Sequence, residues 1–271
     1  MPRVVDRPIA PLKFSANLSF LFSERQFVER FAAAHAAGFD AVEFHFPYAE
    51  DQVVLAEVAL TSGVEVALFN LPAGTDAEWT AGQRGIAADP HRMAEFQDGV
   101  GLAIEYATTL GCPRLNCLAG IPPHNVAAER AREILVENLR FASSICKRAG
   151  IQLLIEPLNT HDTPGFLVPT TAAAVSIIDL VGSDNLALQY DIYHAQVMEG
   201  DLARTIERHL PKIGHIQLAD NPGRHEPGSG EVNFPFLLGH LQRLGYSGWV
   251  GCEYRPSGDS EDSFAWMEGW R

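Results

Sequence analysis

The sequence predicts an α/β protein, a (β/α)8 TIM barrel in a single domain. Three observations carry that reading. Short apolar runs alternate with amphipathic segments eight times, an alternation that calls for a parallel sheet with helices outside. The 271 residues are about the usual length of such a barrel. Four of the runs stop at an oxygen-bearing side chain: Ile155 runs into Glu156, Tyr190 into Asp191, Ile216 into Gln217 and Cys252 into Glu253. An open doubly wound sheet is the main rival, but no Gly-x-Gly-x-x-Gly follows the first run, which removes its best support.

Taken in order, residues 1–13 contain proline and mixed charge and read as an N-terminal extension to a barrel of residues 14–271. They lack the apolar core of a signal peptide. Residues 14–19 are a first strand. Ser23 and Gln26 have the spacing of a capping box, and Phe27, Phe31 and Ala34 mark the apolar face of a helix that Gly38 ends. Ala41 to Phe46 is a second strand, Asp51 to Ser62 a helix closed by Gly63, and Val64 to Asn70 a third strand. The irregular stretch 71–91 is long for a compact domain, and such loops are usually functional or disordered; it offers Trp79 and Arg84 either to a lid that excludes water or to simple loop packing.

Met93, Phe96, Val100, Ala103, Ala107 and Leu110 recur at helical spacing before Gly111. Arg114 to Leu118 is the fourth strand. Ala131, Leu135, Leu139, Ala142 and Cys146 then line a helix ending at Gly150. The run to Glu156 is the fifth strand, and Pro157 cannot extend its ladder. A helix over 170–181, a strand to Asp191, a helix over 200–210, a strand to Gln217, a helix over 234–244 and a strand to Glu253 complete the alternation. A last short helix is expected over 264–270.

Composition excludes several classes. With 34 acidic against 20 basic residues and a net charge of −14, the chain lacks the basic stripe of a nucleic-acid surface. No apolar run reaches membrane-spanning length. Four scattered cysteines, none in a Cys-x-x-Cys pair, suit a reducing cytoplasm rather than a zinc or disulfide framework. Lys13 and Lys212 precede strands and Lys147 lies on an outer helix, so no Schiff-base amine reaches the site. No nucleophile elbow and no glycine-rich phosphate cradle appear. The sequence leaves room for a homo-oligomer and determines no oligomeric state.

In a parallel barrel every strand's carboxyl end faces the same way, and active sites lie there. Glu156, Asp191, Gln217 and Glu253 therefore converge. An all-oxygen set suits a hard divalent cation, Mg²⁺ or Mn²⁺, better than zinc. Three carboxylates brought together without a cation repel, and some hold their protons; rim residues solvated at the strand ends are the bland alternative. His194 follows the Asp191 strand, where it is a candidate to touch substrate or metal, a structural hydrogen bond being the alternative; Arg224 follows the Gln217 strand, where a guanidinium suits a substrate carboxylate, a surface-loop ion pair being the alternative. Glu43 and His45 share one strand parity and face the barrel mouth, where Glu43 is a candidate to bind substrate, with core or rim roles as the alternative. His215, one layer below Gln217, reads as a satisfied core histidine. Two glutamates beside a bound cation suit proton transfer next to a carbonyl, the chemistry of aldose–ketose isomerisation or epimerisation.

These residues carry a resemblance. Residues 14–19, Val42-Glu43-Phe44 with Phe46-Pro47-Tyr48, Asn70 to Gly74, Ile155 to Asn159, Gln189 to His194, and the runs 214–230 and 248–254 are together similar to the hydroxypyruvate isomerase family of xylose-isomerase-like barrels. The resemblance spans nearly the whole chain after residue 13. It implies that Glu156 and Glu253 are the acid/base pair and that Glu156, Asp191, Gln217 and Glu253 hold the cation. It also implies a small 2-oxo acid as substrate, with Arg224 at its carboxylate. Related ketose epimerases have a histidine where Gln217 stands, which favours the isomerase; a similar subgroup isomerises 2-oxo-tetronate. A metal-dependent endonuclease and a non-catalytic binding barrel remain as readings of other classes, the first opposed by the charge and the second by the intact glutamates.

Overall fold

The computed structural model describes residues 10–270. Eight parallel strands close on themselves in chain order: β1 (Lys13–Asn17), β2 (Ala41–Phe44), β3 (Glu65–Asn70), β4 (Arg114–Cys117), β5 (Gln152–Ile155), β6 (Leu186–Asp191), β7 (Ile213–Leu218) and β8 (Trp249–Cys252). The closing register pairs Ser15 with Gly251 and Ala16 with Cys252. Helices α1 (Glu29–Ala36), α2 (Gln52–Ser62), α3 (Asp76–Thr80), α4 (Met93–Leu110), α5 (Ala128–Arg148), α6 (Thr171–Val181), α7 (Ile192–Met198), α8 (Leu202–His209) and α9 (Phe234–Arg243) lie between the strands. The TIM-barrel architecture expected from the alternation is present.

Strand parity divides the core in two. Outward-facing residues such as Phe14, Ala16, Leu115, Ile216 and Leu218 join the helices in one large apolar cluster. Phe31 of α1 is fully buried there, its ring against Phe27 and Phe44. A fully buried side chain of this size stabilises by roughly 1.5–3 kcal/mol relative to exposure. Inside the barrel, Leu68, Leu154 and Ala187 form a separate small apolar group. Above it the interior is polar. Ser15, Asn17, Glu43, Asn116, Gln189, His215 and Gln217 are all buried, a composition tolerable only because they bond one another. Gly251 belongs to this layer: a Cβ there would collide with the Glu43 carboxylate. Cys112, Cys117, Cys146 and Cys252 are buried.

Several boundaries differ from the sequence reading. The Leu12 N–H bonds the Trp270 carbonyl and β1 opens at Lys13, so the barrel starts before residue 14; residues 1–9 of the expected extension lie outside the described residues. The Ser23–Gln26 capping box does not form. Helix α1 starts at Glu29, whose carboxylate accepts the Gln26 N–H, and no side chain caps it. A capping box does exist at Thr75 and Glu78, where it nucleates α3 inside the stretch read as irregular. The helix expected over 200–210 is preceded by α7, whose first turn is capped by Asp191 itself. The closing helix is a 3₁₀ segment, Ser260–Met267. No helix among the described residues is long and apolar enough to cross a membrane.

Candidate active site

The carboxyl ends of the strands open into a cavity of about 990 Å³. Glu156 directly follows β5, Asp191 ends β6, Gln217 is the penultimate residue of β7 and Glu253 directly follows β8. All four are buried. Glu156, Gln217 and Glu253 line the cavity together with Glu43, His194 and Arg224. Asp191 lies behind Arg224 and His194, both of which contact it.

Each carboxylate has one oxygen tied to a neighbour. Glu156 Oε2 accepts from Asn116 Nδ2 at 2.8 Å. Asp191 Oδ1 accepts the Tyr193 N–H at 2.8 Å, the start of α7. Glu253 Oε1 is 2.7 Å from His45 Nε2. The Arg224 guanidinium reaches the second oxygen of two of them, Glu253 Oε2 at 2.9 Å and Asp191 Oδ2 at 3.3 Å.

One guanidinium does not balance three buried carboxylates. Burial pushes the Glu156 carboxyl well above its ordinary range, and the charges of Glu253 and Asp191 push it further. Burial likewise raises Asp191 to about 7, against the pull of Arg224. Glu253 goes the other way: burial would raise it, but Arg224 and the hydrogen bond from His45 hold it down at about 2. Such an imbalance is what a divalent cation relieves. A ligand oxygen of Glu156 and one of Asp191 lie within 4.8 Å of each other, close enough for the two carboxylates to share a cation.

His194 is better placed as a donor than as a ligand. Its Nδ1 accepts the Asn159 N–H at 3.1 Å, which leaves the proton on Nε2. Burial, then the charge of Arg224, depress its pKa to about 3, keeping the ring neutral.

The sequence reading placed Glu43 at the substrate. Its carboxylate instead faces donors from within the barrel: Ser15 Oγ and His215 Nε2 on one oxygen, Asn17 Nδ2 and Gln217 Nε2 on the other. Glu43 thus orients the Gln217 amide, whose carbonyl oxygen accepts from Gln189 Nε2 at 2.6 Å. His215 is satisfied only at Nε2; its buried Nδ1 has no partner among the described residues. Asn116, Asn159 and Gln189 were given no role in the sequence reading, although Asn159 and Gln189 lie in runs that carry the resemblance. Asn116 and Gln189 could have been found by parity, since each lies two residues from another inward position on its strand or at its end. Asn159 is on a loop and left no such signal.

The loop carrying Arg224 is held by Asp220, whose carboxylate accepts the N–H groups of Gly228, Gly230 and Val232. Gly230 packs so closely on the Asn221 carbonyl that a Cβ would collide with it. Trp79 and Arg84 sit at the cavity wall, the guanidinium 4.2 Å over the indole and the indole edge against His45 and Phe46.

The closed parallel barrel carries buried glutamates at its carboxyl end, and with curated relatives that are named isomerases the chain is an enzyme of the aldose–ketose isomerase kind. A model of the family described as xylose isomerase-like TIM barrel matches residues 31–270. The chain belongs to that family and, within it, to the hydroxypyruvate isomerase family. It is 48% identical to the Escherichia coli K12 hydroxypyruvate isomerase over 260 residues, 96% of this chain and 100% of that protein. It is 43% identical to a 2-oxo-tetronate isomerase of Cupriavidus necator, covering 94% of this chain and 97% of the relative. A crystal structure described as an AP endonuclease, family 2, from Brucella melitensis superposes with a TM-score of 0.92 at 43% identity, covering 97% and 100% of the two chains.

Proposed function

We propose that the chain interconverts hydroxypyruvate and 2-hydroxy-3-oxopropanoate, tartronate semialdehyde, with Glu156 and Glu253 moving the proton. The observation that carries this is full-length identity of 48% to a hydroxypyruvate isomerase, in a chain that keeps two glutamates and a guanidinium at one cavity.

Glu156, Asp191, Glu253 and the carbonyl of Gln217 would hold the cation, Mg²⁺ or Mn²⁺ by the hardness of the donors. When bound, it supplies positive charge to the oxygens of the two reacting carbons. The chain's own groups do the rest. One glutamate takes a proton from C3 of hydroxypyruvate and the other returns one at C2. Arg224 meets the substrate carboxylate. His194, with its proton on Nε2, donates to a substrate oxygen. Glu43 acts through Gln217, holding its amide rather than touching substrate. Buried thiols suit work in the cytoplasm.

A second reading, isomerisation of the one-carbon-longer 2-oxo-tetronate, is favoured by the 43% relative and by a cavity roomy enough for another carbon. Cleavage of nucleic acid, which the name of the Brucella protein suggests, is opposed by the net charge of −14.

The test follows both 2-oxo acids by proton NMR with Mg²⁺ or Mn²⁺ and then with excess chelator. Conversion of hydroxypyruvate that chelator stops and added cation restores is the expected result. Faster turnover of 2-oxo-tetronate would move the assignment to the second reading, and turnover of neither would end both.

A further inference from the structure

We propose that Arg224 is the resident counter-cation of this site, and that it must release Asp191 and Glu253 when a divalent cation is loaded. The inference rests on the reading that the site takes such a cation.

The supply of free oxygens decides the matter. Asn116 takes one oxygen of Glu156, the Tyr193 N–H one of Asp191, and His45 one of Glu253. The carboxylate oxygens left for a cation are Glu156 Oε1, Asp191 Oδ2 and Glu253 Oε2. Arg224 Nη2 holds the last two, at 3.3 and 2.9 Å. Two cations drawn to the same pair of oxygens repel strongly in a buried site. Asp191, moreover, is not among the residues that line the cavity, and its Oδ2 is in contact with both Arg224 and His194.

The side chain is free to leave while its backbone stays. The Arg224 carbonyl accepts the Arg255 N–H at 2.8 Å, and Asp220 holds the rest of the loop. The guanidinium, by contrast, lies 4.9 Å from the Phe20 ring centre and 5.2 Å from that of Tyr193. Ring faces attract a cation without holding it in one orientation. Its buried Nε has no hydrogen-bond partner among the described residues, so turning the side chain breaks no bond there. Arg224 already lines the cavity, so a guanidinium released from the carboxylates can meet a substrate carboxylate there. One residue therefore offsets part of the carboxylate charge before a cation binds and becomes the carboxylate clamp only afterwards. Cation before 2-oxo acid is the binding order this imposes.

The experiment titrates Mn²⁺ calorimetrically at pH 8, without substrate, into the metal-free wild type, Arg224→Gln and Arg224→Lys, with circular dichroism checking the fold. Removing the competing charge should tighten Mn²⁺ binding by about tenfold or more in Arg224→Gln, with Arg224→Lys in between. Equal or weaker binding in Arg224→Gln overturns the inference while leaving the cation reading intact. No Mn²⁺ binding by any of the three overturns the cation reading and this inference with it. Should the variants not fold, a crystal structure of the wild type with Mn²⁺ decides: Arg224 Nη2 away from Asp191 Oδ2 and Glu253 Oε2 supports it, and contact with both retained refutes it.

Discussion

The two faces of the same sheet make an instructive contrast. On β7, Ile216 and Leu218 point outward into the apolar cluster beneath the helices, while His215 and Gln217 point inward to Glu43. On β1, Phe14 and Ala16 point outward while Ser15 and Asn17 point inward. The outer face is bound by non-directional burial, so it tolerates change of shape in proportion to volume lost. The inner face is a hydrogen-bonded set in which each group orients the next. Stability is concentrated on one face and orientation on the other, by a side-chain period of two.

The largest effect should come from the inner face. Glu253→Gln keeps the shape and removes one of the two proton-carrying carboxyls; turnover of the folded protein should fall by about 10²–10⁴-fold. Near-normal turnover would remove Glu253 from the acid/base pair. The reverse pattern is expected outside. Phe31→Ala should cost about 3–5 kcal/mol in a denaturant titration and leave turnover of the folded protein unchanged. A large fall in the turnover of folded protein would show that the faces are not separable.

Gly251→Ala tests the place where they meet. The new methyl must displace Glu43, so stability should drop by about 1–3 kcal/mol and cation affinity should drop with it. A loss of stability alone would separate Glu43 from Gln217. The smallest effect lies at the rim. Glu78 caps α3 and bonds Arg92, and the Thr75 N–H followed by the Arg92 and Thr75 side chains lower its carboxyl from 4.5 to about 2. A depressed carboxyl stabilises above its unfolded pKa and loses that contribution as pH falls through the folded one. Protection of the α3 amides, corrected for intrinsic exchange, should therefore fall between pH 4.5 and 2 in the wild type and be lower and flat in Glu78→Gln. Because the group is exposed, the change should be small and local. Parallel profiles in the two proteins would dismiss it.

The outer face was legible because burial on both sides of a parallel strand writes apolar runs. The strand-end acids were legible because they interrupt those runs at barrel spacing. The inner polar layer was half legible. Parity put His215 beneath Gln217, but nothing in one sequence says that Glu43, 172 residues away, closes the pair. Short helices escaped for a related reason. Helix α3 spans five residues, too few to show a period, although Thr75 and Glu78 carried the capping signal. At Ser23 the same type of signal misled, because the Gln26 N–H is taken by Glu29 and α1 begins only at Glu29.

The buried cysteines have a practical consequence. Burial drives the thiols of Cys112 and Cys146 up to about 12, and Cys117 still higher, so these three are inert while the barrel is closed. Cys112 and Cys117 bracket β4, Cys146 lies on α5 and Cys252 ends β8. A thiol-specific dye thus becomes a stopwatch for opening. If the chain parts at one seam first, the colour will come in two bursts, and the seam can be located by which sulfurs react early.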